Sequence, residues 1–338
     1  MPKVSIIIVN WNGMDHLPAC LSSIENQTFK DFECIVVDNG SSDGSIEYIN
    51  NYHSWVKLVS MDTNTGFARG NNIGLKESSG ELIVTLNNDT ELDKDWLSRL
   101  VAEAHNHPDA GMIACRICNY YQRDLIDSLG MKMCLDGMSR GAFRNRRYSE
   151  LQKVPSSILF PSACAALYRR EMLEMTGFFD EDFFAYCEDS DLGLRGRLAG
   201  WKAILAKDSV VFHKYSATTG KLSPLKLYLV ERNHFWTVVK NFPPSLILLY
   251  IPITILRFIF QALALFKGQG AGSDLKPEKQ TFQCIVAILH GIIDGFSGSI
   301  RMLKKRKNMM NEKFIENRRI YGLLKKHRMK FSELLDMK

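Results

Sequence analysis

At 338 residues, with 46% hydrophobic and 24% charged residues and a formal net charge of +6, the chain has room for one large domain plus an appendage, and its composition excludes disordered and fibrous classes. The opening MPKVSIIIVNWNG starts an apolar, strand-like run within a few residues, so no secretory signal is expected. Cys20, Cys34, Cys115, Cys118, Cys134, Cys164, Cys187 and Cys284 are therefore read as reduced, mostly buried thiols.

Continuous apolar runs at residues 4–9, 34–37, 56–60 and 82–86 predict strands buried on both faces. Between them Leu17, Leu21 and Ile24 recur at helical spacing, and residues 45–51 predict a short helix after the turn-rich DNGSSDG. This alternation predicts an α/β fold: a mostly parallel central sheet flanked by helices. Residues 105–160 are less regular and carry a basic cluster, Arg140, Arg144, Arg146 and Arg147, which suggests a mobile acceptor-side region. The Cys115–Cys118 pair lacks a second pair at zinc-ribbon spacing and is read as packing. Strand patterns resume at 163–168 and 208–212.

The run at 245–266 is interrupted by Pro252, Arg257 and Gln261, and Thr254, Arg257 and Gln261 share one helical face. From 282 to 303, Phe282, Ile285, Leu289, Ile292, Phe296, Ile300 and Leu303 form one stripe and Gln283, His290, Asp294, Ser297 and Arg301 the other. Basic residues then crowd the tail: Arg301, Lys304, Lys305, Arg306, Lys307, Lys313, Arg318, Arg319, Lys325, Lys326, Arg328, Lys330 and Lys338. The combination reads as an in-plane membrane anchor, with a soluble helical cap or a two-helix membrane hairpin as alternatives.

Four constellations carry chemistry. Asp38, at a strand end and followed by a turn reaching Asp43, could accept a hydrogen bond from a base or ribose in the crevice of an open sheet; a simple Asx-type turn explains the same residues. Residues 64–74, from Asn64 through Arg69, open a helix whose amides suit a diphosphate. Their glycines lack the GxGxxG spacing, which weighs against a dinucleotide dehydrogenase. Asn87, Asn88 and Asp89 end another strand, where Mg²⁺ or Mn²⁺ could be held by few protein oxygens plus phosphate oxygens, with His213 a candidate further ligand. Finally, Glu188, Asp189 and Asp191 put three carboxylates within four positions, a pattern costly to bury unless it binds cations or moves protons.

These segments, VSIIIVNWNG, VVDNGSSDGS, NTGFARGNNIG, LNNDTEL, the FFAYCEDSDLGLRGRLAGW block and Glu231-Arg232-Asn233, stand in the order of the family 2 glycosyltransferases, and the chain resembles that family from its first strand to about residue 240. The resemblance implies a GT-A fold over 1–240 and a C-terminal appendage over 241–338. It implies a nucleotide-sugar donor, UDP- or dTDP-linked, near Asp38, Asp43, Asn64, Arg69, Asn87 and Asn88. Asp89 matches the last position of the family's DxD metal motif, whose first position here is Asn87, and His213 matches a histidine that completes the metal site in some relatives. Asp189 would deprotonate the acceptor hydroxyl, with Glu188 and Asp191 beside it, and Trp201 and Arg232 would lie on the acceptor or diphosphate side. The C-terminal pattern, including GIIDGFSGSI, is similar to rhamnosyltransferase-type enzymes, which implies a glycan or polyprenyl-linked acceptor at the cytoplasmic face of a membrane. Competing expectations are a soluble transferase with a non-lipid acceptor, a nucleotide-binding oxidoreductase and a non-catalytic scaffold. Nucleic-acid binding by the tail is set aside because its apolar neighbours favour a membrane.

Overall fold

The computed structural model describes residues 2–214, 223–266, 278–311, 317–330 and 333. Its strands are β1 (Val4–Asn10), β2 (Phe32–Asp38), β3 (Val56–Ser60), β4 (Leu82–Asn87), β5 (Thr90–Leu92), β6 (Ala110–Asn119), β7 (Ile126–Ser128), β8 (Met131–Met133), β9 (Ser139–Gly141), β10 (Ala165–Arg169) and β11 (Lys202–His213). The helices are α1 (Leu17–Glu25), α2 (Ser45–Tyr52), α3 (Phe67–Lys76), α4 (Trp96–Asn106), α5 (Arg170–Thr176), α6 (Glu188–Leu198), α7 (Pro224–Asn241), α8 (Pro244–Leu248), α9 (Tyr250–Phe266), α10 (Glu278–Ser297), α11 (Ser299–Asn311) and α12 (Asn317–Lys326).

The main sheet runs β3-β2-β1-β4-β10-β6-β11-β5, with β7 on β6. β1 to β4, β6 and β11 share one direction, while β10 and β5 oppose them. The period of two along β1 sends Ile7 to one face and Ile6 and Ile8 to the other, and both faces are covered. Helices α1 and α4 close one side; α3, α5, α6 and α7 close the other.

One expectation is overturned. The stretch expected to be mobile contains β6, a ten-residue strand between β10 and β11, near the middle of the sheet. Its sequence, AGMIACRICN, is poor in β-branched residues, and the tertiary setting overrides the weak propensity. Cys115 and Cys118 lie in this strand, both buried; all eight cysteines are free thiols.

Helix α9 packs its polar side inward. Arg257 of α9, 1% exposed, bonds Asp136 at 2.7 Å and Glu231 of α7 at 2.8 Å. Thr254 is buried beside it, whereas Ile251, Ile255, Leu256, Ile259, Phe260 and Leu263 are exposed. α10 lies on α7 through small residues: a Cβ on Gly291 would come within 2.6 Å of the Tyr228 carbonyl. The stripe expected as one helix bends by 44° at Gly298, where a Cβ would strike Trp236. Phe282, Ile285, Leu289, Phe296, Ile300 and Leu303 all face outward. Among the described residues no single helix is long and apolar enough to cross a membrane, although the bent pair α10–α11 passes that test together.

The tail's charge is partly spent inside the fold. Arg301 and Lys305 pair with Asp182 at 3.0 and 2.6 Å, and Arg306 donates to the Val239, Lys240 and Phe242 carbonyls. Lys304, Lys307, Lys325 and Lys330 remain exposed. Lys313, Lys338 and the side chains of Arg318 and Arg319 lie outside the described residues.

Candidate active site

Polar groups meet where β1, β2, β4 and β11 end. Asn10, last in β1, bridges its neighbours: its Nδ2 donates to Asp38 Oδ2 at 2.9 Å and its Oδ1 accepts from Asn88 Nδ2 at 2.7 Å. The Asn87 amide donates to the Cys164 carbonyl at 2.8 Å, and the Ala163 amide donates to Asp189 Oδ2 at 3.3 Å. The Cys164 thiol meets the His213 ring, whose Nε2 lies 3.3 Å from Asp89 Oδ1. Asp38, Asp89 and Asp189, distant in sequence, therefore share one edge of the sheet, joined through Asn10 and the Ala163–Cys164 segment.

Asp89 is buried, and its Oδ1 finds no partner of hydrogen-bond geometry. Burial opposes its charge, but His213 more than offsets that and holds the carboxyl below the ordinary range. His213 in turn is oriented from behind: its Nδ1 is 2.7 Å from Asp127 Oδ2, and Asp127 is anchored by Arg144 at 2.9 Å. An orphaned buried carboxylate oxygen facing an imidazole that a second carboxylate orients is a fitting donor set for a divalent cation. Among the described residues no cage of three or more His, Cys, Asp or Glu side chains forms, so further oxygens would have to come from a bound phosphate.

The carboxylates on the other side of Ala163 sit at the start of α6, after a strained loop. Phe184, Tyr186 and Cys187 have φ of 63°, 69° and 64°, left-handed values that cost a non-glycine residue about 1–3 kcal/mol each. Gly66 abuts this loop with φ of 89°, where a Cβ would lie 2.6 Å from the Phe184 ring. Burial pushes Asp189 above the ordinary carboxylate range, partly offset by bonds from Ala163 and Ser190. Burial, and then the charge of Asp189, push Glu188 well above it; its Oε2 is buried without a partner.

Several expected residues have other work. Asp191 is fully buried: its Oδ2 takes Arg195 Nε at 2.9 Å and Lys240 Nζ at 2.8 Å, and its Oδ1 takes Asn241 at 2.9 Å, so no oxygen is left to reach an acceptor. Trp201 immediately precedes β11, while His213 ends it; eleven strand residues lie between them, and even with the bulge between Ala206 and Val210 they stand on the order of 30 Å apart, which puts Trp201 at the opposite edge of the sheet, against Gly111 of β6. Arg232 donates to the Asp182 and Phe183 carbonyls and lies over Trp236, so it braces the loop that leads to Glu188. Asp38 is wholly buried, with Asn10 on one oxygen and the Ser41 amide on the other, so it shapes the turn and presents no open acceptor. Asp43 is exposed and accepts from the Met14 amide at 2.8 Å. Asn64 organises its own turn, accepting from Asn39 and the Gly66 amide. The α3 start spends the Ala68 amide on the Phe184 carbonyl, and Arg69 stays at the surface 4.0 Å from Glu181.

Asn10, Cys164 and Asp127 escaped the sequence reading. Asn10 follows, and Cys164 lies within, strand patterns already recognised, but only the cross-strand register reveals what they bridge; Asp127 sits in a three-residue strand with no periodic signal.

The description "Glycosyl transferase family 2" matches residues 5–177. The O-antigen biosynthesis protein RfbC of Myxococcus xanthus is 31% identical over 235 residues, which cover 64% of this chain and 18% of that protein. The GalNAc(5)-diNAcBac-PP-undecaprenol beta-1,3-glucosyltransferase of Campylobacter jejuni is 35% identical over 109 residues, covering 31% of this chain and 35% of that enzyme. The match thus spans well under two thirds of either relative. Among solved structures, a mannosyltransferase from Pyrobaculum calidifontis in complex with GDP-Man and Mn²⁺ superposes with a TM-score of 0.54 at 17% identity, covering 88% of this chain and 87% of that one. The likeness is one of fold, the GT-A arrangement expected from the sequence.

Proposed function

The chain belongs to glycosyl transferase family 2, and from that premise we propose that it moves a sugar from a nucleotide-diphosphate donor to an acceptor hydroxyl with inversion at the anomeric carbon. The observation that carries this reading is the Ala163–Cys164 segment, with the Asp89–His213 pair against one residue and Asp189 against the next. Asp189 takes the proton from the acceptor hydroxyl as its oxygen attacks the sugar C1; the C1–O bond to phosphate breaks, and its electron pair leaves with the diphosphate. A single in-line displacement inverts the configuration. Asp89 and His213 would hold a divalent cation, Mg²⁺ or Mn²⁺, which supplies charge stabilisation to the leaving diphosphate. The Mn²⁺ and GDP-Man of the Pyrobaculum structure support that assignment. UDP- and dTDP-sugars are the donors to try first. Incubation with a panel of nucleotide sugars and Mn²⁺ should release free nucleotide diphosphate from at least one, and chelation should stop it; consumption of none would leave a scaffold without chemistry.

The acceptor we propose is lipid-linked, with the enzyme lying on the cytoplasmic face of a membrane. Support comes from inverted amphipathicity: α9 turns Arg257 inward and six large apolar side chains outward, and α10 adds Phe282, Ile285 and Leu289. An exposed apolar face of this extent on a water-soluble surface is costly, whereas bilayer burial returns about 25 cal/mol per Å². Exposed lysines such as Lys304 and Lys307 add about 1 kcal/mol each at an anionic surface. The undecaprenol-linked substrate in the name of the Campylobacter relative is consistent with this acceptor class. The protein should sediment with anionic liposomes at low salt, and Ile255→Glu with Ile259→Glu should release it without loss of folding. Retention of the double variant on the liposomes would sink the placement.

A further inference from the structure

The backbone feeding the base is held in an unfavourable shape, and one side chain does most of the holding. Asn233, fully buried in α7, aims its Nδ2 at three carbonyls of the loop: Phe183 at 2.8 Å, Ala185 at 2.9 Å and Tyr186 at 2.8 Å. Its Oδ1 accepts from Arg232 Nε at 2.9 Å, which fixes which end of the amide faces the loop. Arg232 adds its own donation to the Phe183 carbonyl at 3.1 Å. Without these donors, inward-turned carbonyls would lack partners and the left-handed φ of Phe184, Tyr186 and Cys187 would have little to hold them.

We propose that Asn233 is a positioning residue for the transfer reaction, locking residues 183–187 in the conformation that delivers the Asp189 carboxylate to the acceptor side of the cleft. The inference rests on the reading of Asp189 as general base. Asn233 touches neither the Asp89–His213 pair nor the Asp38 turn, so its loss acts first on the geometry of proton removal and reaches the start of α3 only through Phe184, whose carbonyl takes the Ala68 amide. Cys187, with φ of 64°, immediately precedes Glu188, and glycine adopts that φ without steric cost.

The test is steady-state kinetics of the 338-residue chain carrying Asn233→Ala, the double variant Asn233→Ala with Cys187→Gly, and Asp189→Asn for comparison. Asn233→Ala is expected to lower kcat by about tenfold to a hundredfold, the scale of a misplaced catalytic group, with donor KM within about twofold. Adding Cys187→Gly should restore at least a third of the lost rate, because the loop then reaches the same backbone shape without being forced. Unchanged kcat in Asn233→Ala overturns the proposal, as does a joint fall of kcat and donor affinity that glycine does not repair. Wild-type turnover in Asp189→Asn overturns the base assignment and this inference with it. If Asp189→Asn is inactive while Asn233→Ala turns over normally, the positioning role alone falls.

Discussion

Replacing Asp189 by asparagine should lower turnover by about a hundred- to ten-thousand-fold, the usual contribution of a positioned general base, while donor affinity and thermal stability stay near wild type. The amide is nearly isosteric: its one oxygen can still accept from the Ala163 amide while its NH2 donates to the rotatable Ser190 hydroxyl, so the fold around it persists. What disappears is a carboxylate whose pKa burial raises above its ordinary 3.8, which makes it a stronger base than an exposed aspartate. Turnover of the wild type should accordingly fall as pH drops through that raised value, a limb lying above 3.8 and absent from the variant's residual rate. A profile of kcat/KM against pH for both proteins checks this. Loss of donor binding in the variant would instead place Asp189 on the nucleotide side.

Asp191→Ala, two residues on, should act in the opposite manner: stability falls by about 3–5 kcal/mol, because Arg195 and Lys240 keep buried charges that have lost a partner. Burial by itself would raise the Asp191 pKa, but Lys240 and Arg195 outweigh it and hold the carboxyl far below its ordinary 3.8. A depressed acid contributes stability that is complete above 3.8 and is lost only as pH falls through the lower folded value, so the deficit should be full at neutral pH and shrink in strong acid. Denaturant unfolding at pH 7 and at acid pH measures it. Undiminished stability with abolished turnover would return Asp191 to the catalytic group.

The contrast between these neighbours marks how far sequence can be read. Strands β1, β2 and β4 announce themselves because each is buried on both faces and so carries a run of apolar residues. β6 does not, since alanine, glycine and cysteine serve an interior strand only where neighbours on both edges impose the pairing. The acids at the ends of β2 and near the end of β4 were legible from strand direction alone, because parallel strands deliver their C-terminal residues to one edge. Which acid is open and which is spent was not: Asp38 is closed by Asn10 and Ser41, and Asp191 by Lys240, 49 positions away. Trp201 was misplaced for a related reason, since a motif contiguous in sequence is pulled to opposite edges once a long strand follows it. In α9 the polar face was legible, but its direction was not, because periodicity says that two faces differ and leaves open which one meets the protein.

A crystal structure of the protein with Mn²⁺ and the donor it consumes tests the shared cleft most directly. The expected result is an anomalous manganese peak against Asp89 and His213, with the diphosphate on the metal and the sugar C1 turned toward Asp189. Nucleotide bound at the Trp201 edge of the sheet, or manganese away from Asp89, would contradict it.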